Sequence, residues 1–256
     1  MKKRIVFTAF WALGIFTFIA CQKDDLGNLG PSTLGVKIEA LNKSYSLPVT
    51  ATKSALAGET SIEWDSAHLM VSNIKFEAEL KSLVTHRDSI EISYKWTGPK
   101  LANLLKSDAT FGNFLLQPGF YDEIEITVKG ETEDAEDIPV FYLHGTFTGS
   151  TATLPLEVIV NQDVTFKTEK DSVEITEESI DITSYIQLYL DELMMKIDPV
   201  DLDNSKLTDG VIVISRDSNR EIYYTIFNNL IKDHRCYHEH KYKKHKKNKD
   251  YKGDDD

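Results

Sequence analysis

Between Gln117 and Val128 the chain reads Q-P-G-F-Y-D-E-I-E-I-T-V, and no other stretch narrows the fold as far. Ile124, Ile126 and Val128 share one parity, while Glu123, Glu125 and Thr127 share the other. Successive side chains of a strand point to opposite faces, so the segment has an apolar and a polar face, as a half-exposed strand requires. Ahead of it, Gln117-Pro118-Gly119-Phe120 predicts a type II turn. Proline presets φ at the second position, and glycine supplies the positive φ needed at the third.

The same period recurs along the chain. Val36, Ile38 and Ala40 alternate with polar neighbours. Leu69, Val71, Ile74 and Phe76 form a longer run whose parity changes, which predicts a bulge near Ser72 and Asn73. Ile90, Ile92 and Tyr94 alternate and lead to Trp96. Thr97-Gly98-Pro99 is expected to close that strand, and Leu101, Leu104 and Leu105 to form a helical turn. Residues 131–137 read as an acidic loop, and further strands are expected over 140–148, 154–160, 164–168, 185–190 and 211–214. One helix is expected over 218–232, capped by Asp217 or Ser218. There Ile222, Ile226 and Leu230 recur every four residues with Tyr223 and Phe227 beside them. Many short strands with regular turn signals indicate an all-β or mainly β fold, an antiparallel β-sandwich with a C-terminal helix, over residues 34–232.

What precedes the body speaks to location. Lys2, Lys3 and Arg4 are followed by an apolar run of 16 residues, Ile5 to Ala20, and then by Cys21. A bilayer-spanning helix needs about 20 residues, so the run suits a secretory signal better. The order basic, apolar, small, Cys resembles a bacterial lipoprotein signal, with Phe18 where that pattern usually has Leu. The resemblance implies that residues 1–20 are removed and that Cys21 becomes the acylated N-terminus. Buried acyl methylenes contribute about 0.8 kcal/mol each, so several chains anchor durably. Gln22, Lys23, Asp24 and Asp25 resemble the short acidic export signal that sends some lipoproteins to the outer face of the outer membrane. A Gly/Pro/Ser tether completes residues 21–33.

Charge divides the remainder. Residues 22–231 hold 17 Lys or Arg against 35 Asp or Glu, a balance of −18; residues 232–252 hold 9 against 3, a balance of +6. The body should repel nucleic acid and anionic membrane, and a basic tail follows it over 233–256, turning acidic at its end. With Cys21 acylated, Cys236 is left without an internal disulfide partner, so stability must come from the core. Hydrophobic content of 41% with 10% aromatics is enough to build one.

The order A-H-L-M-V-S-N-I-K-F, then L-A-N-L-L, then L-L-Q-P-G-F-Y-D-E-I-E-I resembles a β-sandwich domain of unassigned function in bacterial surface lipoproteins of the Bacteroidota kind. The resemblance covers roughly residues 34–160. Its motifs are structural, with Pro118, Gly119 and Tyr121 shaping a hairpin, so it implies a fold and a location but no site.

Catalytic signatures are missing from the sequence: it has no G-x-S-x-G, no G-x-x-x-x-G-K-[ST], no H-E-x-x-H and no C-x-x-C. His68, His86 and His144 stand apart, and His144 is expected at an edge or facing solvent. A non-enzymatic protein is expected. Two stretches have metal-ligand chemistry. Asp198, Asp201, Asp203, Asn204 and Asp209 make an oxygen-rich loop of the kind calcium prefers, although Lys206 and Ile212 stand where an EF-hand needs its glycine and glutamate. An ordinary solvated loop is the expectation there. In the tail, His234, Cys236, His238 and His240 alternate with other residues, so an extended chain puts ligands for zinc, copper or nickel on one side. The neighbouring lysines oppose a cation and suit a polyanion or the acidic body of another copy. Ser66, Ser89 and Ser172 each follow Asp and precede an aliphatic residue, which resembles a bacterial O-glycosylation acceptor.

The sequence therefore points to an outer-membrane lipoprotein facing the exterior, with periplasm-facing attachment as the alternative. Its expected work is non-catalytic binding or scaffolding with a glycan or protein ligand, and the rival is metal handling by the tail. No cofactor is expected beyond a transition metal at that tail. A glycan-binding role predicts exposed aromatics on one face, with Trp64, Trp96, Tyr121 and Tyr142 as candidates.

Overall fold

The computed structural model describes residues 32–47, 60–81, 89–106, 110–135, 137–176, 180–232 and 240–243. Thirteen strands and four short helices follow in order: β1 (Ser32–Leu41), β2 (Ser44–Ser46), β3 (Ser61–Lys81), β4 (Ser89–Asn103), β5 (Thr110–Leu116), β6 (Gly119–Gly130) and α1 (Thr132–Ala135). After these come β7 (Phe141–Thr148), β8 (Thr153–Val160), β9 (Val164–Ile175), β10 (Ile180–Tyr189), α2 (Leu190–Leu193) and α3 (Pro199–Asp203). The described chain ends with β11 (Leu207–Thr208), β12 (Val211–Ile214), α4 (Arg220–Leu230) and β13 (His240–Lys243). The fold is mainly β, a sandwich of a nine-stranded and a four-stranded sheet carrying a short C-terminal helix.

β3 organises the larger sheet. Its 21 residues pair along one edge with β6 and then β7, and along the other with β4 and β2. β8 continues from β7 and β9 from β6, so both halves of β3 are extended sideways. The parity change read at Ser72–Asn73 is a bulge: β3 slips against β4 between Val71 and Asn73. A second slip, against β7 between Trp64 and Ser66, precedes it: Glu63 and Asp65 face outward before that slip, Ser66 and His68 between the two, and Lys75 and Glu77 after the second.

The smaller sheet has the order β13-β10-β1-β5. Leu34, Val36 and Ile38 of β1 are fully buried and share one core with Ile74, Phe76, Ile124, Ile126 and Val128 of the larger sheet. Aromatic rings join the layers. Phe114 of β5 stacks on Phe76 at 5.8 Å and on Tyr94 at 5.8 Å, and Trp96 meets Phe111 edge-on at 5.2 Å. Two pairings are parallel, β1 with β10 and β12 with β8, in an otherwise antiparallel arrangement.

Several local expectations are corrected. Gly98-Pro99 does not end β4, which runs on to Asn103. The two residues fall in the bulge opposite Ser72, on a strand that among the described residues pairs only with β3, where proline forfeits no ladder bond. Leu101 stays in the strand, and a turn without helix follows at Leu104 and Leu105. Gly119 does not take positive φ; its place is steric, since a Cβ would overlap Leu80 Cδ1. The acidic loop contains the helical turn α1. β9 extends to Ile175, well past residue 168, and β1 begins at Ser32, inside the stretch read as tether. The C-terminal helix starts at Arg220, and its N-cap is Asn219 with φ 51, not Asp217 or Ser218.

Candidate functional site

Lys196 and Ile197 after α2, α3 with the residues that follow it, and the start of α4 line an open cavity of about 450 Å³. Small-molecule sites occupy roughly 300–1,000 Å³. α3 is set by proline at its first turn and by Asp198, whose side chain accepts from Val200 N at 3.0 Å. That geometry turns Asp201, Asn204 and Ser205 toward the cavity. Lys196, in the left-handed region at φ 69, closes the side that follows α2. Arg220, Glu221, Ile222 and Thr225 of α4 complete the wall, with Ile197 and Ile222 as its apolar part.

Asn219 holds the rim. Its side chain accepts from Lys206 N at 2.9 Å and donates to Lys206 O at 3.0 Å and Val213 O at 2.8 Å, tying α4 to β11 and β12. Asp203 fastens α3 from the other side, accepting from Ser150 N at 3.2 Å and Ser150 Oγ at 2.7 Å. Among the described residues, the carboxylates of Asp201 and Glu221 and the ammonium of Lys196 have no hydrogen-bond or ion-pair partner. Asn204 donates to Val200 O and keeps its amide oxygen open. The cavity therefore offers three acceptor groups and two cationic groups, Lys196 and Arg220, the latter donating through Nε and Nη2 to the Tyr224 hydroxyl, around an apolar patch.

The oxygen-rich stretch does not assemble the calcium loop weighed against an ordinary solvated one. Asp198 caps a helix, Asp203 binds Ser150, and Asp209 sits in the β11–β12 turn at φ 50. Among the described residues only Glu123, Glu125 and Glu169 bring three ligand atoms within 4.8 Å of one another. That trio already holds a cation: Lys167 Nζ lies 2.6 Å from Glu169 and 2.9 Å from Glu125, and both contacts raise its pKa above the ordinary lysine value.

The histidines of β3 and β7 do not make a nucleophilic triad. Ser66 Oγ meets His68 Nδ1 at 3.2 Å, whereas Asp65 Oδ1 meets His144 Nδ1 at 2.7 Å. A triad needs one imidazole between nucleophile and carboxylate, and here the two contacts fall on different rings. His68 also stacks on Tyr142, centroids 6.4 Å apart, and the Tyr142 hydroxyl donates to Glu157 at 3.3 Å. The four candidate aromatics do not form the exposed platform that a glycan-binding role predicts. Trp64 and Tyr121 are core residues, Trp96 packs against Phe111, and Tyr142 alone of the four lies half-buried on the outer face of the larger sheet.

Of the expected acceptor serines, Ser66 is half-buried, Ser89 is exposed at the start of β4, and Ser172 is exposed within β9 at φ 57. Cys21, Gln22, Lys23, Asp24, Asp25, His86, His234, Cys236 and His238 lie outside the described residues. His240 opens β13, paired with Ser184 of β10. Sequence reasoning missed Lys196, Asn219, Arg220 and Glu221. Their one signal was an Asn directly before a helical period.

No family model matches the chain, and neither a curated protein nor a solved structure matches it.

Proposed function

We propose that the chain is an outer-membrane-anchored, surface-exposed lipoprotein whose role is non-catalytic binding of a glycan, seated in the cavity between α3 and α4. The observation that carries the reading is the cavity's complement of open groups. Asp201, Glu221 and the Asn204 amide oxygen accept hydrogen bonds, Lys196 donates them, and Ile197 and Ile222 provide an apolar surface. Sugar hydroxyls donate to such acceptors, and the ring's C–H face suits an aliphatic patch. Its volume of about 450 Å³ suits one or two sugar units. The signal-like residues 1–20 and Cys21 support the membrane attachment, and Gln22 to Asp25 support the outward address.

The test is glycan-array binding by the mature chain beside its Asp201→Asn, Glu221→Gln variant. A charge-assisted hydrogen bond contributes roughly 1.5–3 kcal/mol, so the variant should bind its glycan about 10-fold or more weaker. Equal binding by the two proteins, or binding to no glycan, removes the reading. Protease treatment of intact cells checks the address separately: cleavage of the body while periplasmic controls survive is the expected result.

A further inference from the structure

β4 runs along the margin of the larger sheet. Among the described residues it pairs only with β3, so from Ser89 to Thr97 its other edge has no strand partner. Gly98-Pro99 bounds that run, since proline has no N–H to offer a neighbour. One parity of the run points toward the smaller sheet: Tyr94 stacks on Phe114, and Trp96 meets Phe111. On the same parity Ile92 is half-buried and Ile90 is 63% exposed. An open edge with an apolar flank is a template for another strand.

The opposite parity carries Glu91, Ser93, Lys95 and Thr97 to the exposed face, and there the fold sets like against like. Glu91 lies directly opposite Glu79 of β3, and Lys95 directly opposite Lys75. Like charges in directly opposed positions destabilise a sheet. Lys75 has Glu77 at 2.7 Å, but among the described residues neither Glu91 nor Lys95 has an ion-pair partner.

A second copy of β4 laid antiparallel along this edge supplies both missing counter-charges in one register. With Ser93 opposite Ser93 of the second copy, Glu91 faces Lys95 and Lys95 faces Glu91, so the ion pair occurs twice about the dyad. The other parity matches too. Ile90 falls against Trp96 and Ile92 against Tyr94, β-branched with aromatic, a combination that stabilises antiparallel ladders. Centring the pair on Ile92 or Tyr94 leaves both charges opposite uncharged residues, and centring it on Glu91 or Lys95 sets like against like.

We propose that the chain forms a two-fold dimer through β4, antiparallel from Ser89 to Thr97 and centred on Ser93, which joins the larger sheets of two copies into one. A two-fold interface is isologous, so a strand that complements itself is what it requires. This interface is independent of the glycan cavity, which lies at α3 and α4.

Charge reversal tests it in the full chain in detergent, with protein mass per particle read by light scattering over a dilution series. The wild-type chain should be dimeric. Glu91→Lys and Lys95→Glu each set like charges across the dyad twice, so each should weaken dimerisation about 10-fold or more. The double reversal should restore it. Within the chain the single reversals improve the pairing with Glu79 or Lys75, so the Tm of the diluted, monomeric protein should hold or rise, which separates lost association from lost folding. Carbodiimide coupling identifies the contact. An amide between Glu91 and Lys95 is expected only in covalent dimers, because four residues of one strand hold the two about 13 Å apart. A monomeric wild-type chain, a dimer that neither reversal weakens, a double reversal that stays monomeric, or covalent dimers without this amide would each overturn the proposal.

Discussion

Gly145 sits opposite Trp64 where β3 slips against β7, and replacing it by alanine isolates how tightly the larger sheet closes on itself. A Cβ at this position would overlap the backbone oxygen of Glu63 and lie 2.9 Å from both Cα and Cε3 of Trp64. None of these atoms gives way freely. The carbonyl belongs to the β3 ladder, and the Trp64 ring is 1% exposed with its indole N–H donated to Tyr45 at 3.2 Å. Relief requires β3 and β7 to part locally by about an ångström. Overpacking of this kind costs about 1–3 kcal/mol, and a weakened ladder bond adds about 1 kcal/mol. A loss near 3 kcal/mol corresponds to a Tm drop of about 6–12 °C for a domain of this size. The comparison is Gly210, at φ 85 in the β11–β12 turn, where a Cβ meets nothing within 4 Å. Gly210→Ala should cost about 1–2 kcal/mol through φ alone, and Gly210→Asn less, because Asn tolerates the left-handed region. Gly145→Asn should be worse than Gly145→Ala, since the obstacle is space. Urea titrations followed by tryptophan fluorescence give the four values. If Gly145→Ala loses less than about 1 kcal/mol, or Gly145→Asn matches Gly210→Asn, the steric account of this strand crossing is wrong.

Asn219→Ala removes three hydrogen bonds and leaves backbone groups of Lys206 and Val213 short of a partner, so about 2 kcal/mol of stability should go in the same titration. Asn219→Gly keeps the φ of 51 accessible and separates the side-chain bonds from the backbone requirement. Tyr45→Phe breaks a relay in which Trp64 Nε1 donates to the tyrosine oxygen at 3.2 Å and that hydroxyl donates to Leu190 O at 3.2 Å; about 1–2 kcal/mol is expected in thermal melts. Alkaline unfolding provides a pH test. Burial raises the Tyr45 pKa far above 10.0 and pushes that of Tyr121 up to about 12. The unfolded chain therefore releases these protons first. Stability should be whole below pH 10 and decline as pH rises through 12, and Tyr45→Phe should lessen the decline.

Strand content and facing were readable because both are local. The alternation at Ile124, Ile126 and Val128 is the buried set of β6, and the parity change in β3 is a bulge. What escaped was pairing over distance. β1 and β10 run parallel although nearly the whole body separates them in sequence, and no periodicity within either strand encodes that. Local rules also failed where tertiary context replaced their premise. Proline ends a strand only when its missing N–H was needed, and Pro99 lies in a bulge. Glycine in a P-G pair implies positive φ only if the turn demands it, and at Gly119 the demand is room for Leu80.

The candidate site follows from the same distinction. Asp198, Asp201, Asp203, Asn204 and Asp209 were visible as an oxygen-rich stretch with calcium-ligand chemistry, read as an ordinary solvated loop. In the fold, α3 splits that stretch: Asp198 and Asp203 are spent on a cap and on Ser150, and Asp201 and Asn204 turn toward Lys196 and Glu221. Carboxylates already engaged in holding the backbone cannot also converge on a cation. Those left over are spaced by a helix instead of a loop and face Lys196 beside Arg220, which opposes a cation and leaves the neutral, hydroxyl-bearing ligand proposed above as the reading to test. The two readings separate by titration with calcium alone, since a calcium site would raise Tm in proportion to the logarithm of added ion, whereas a cavity built for a neutral ligand predicts no shift.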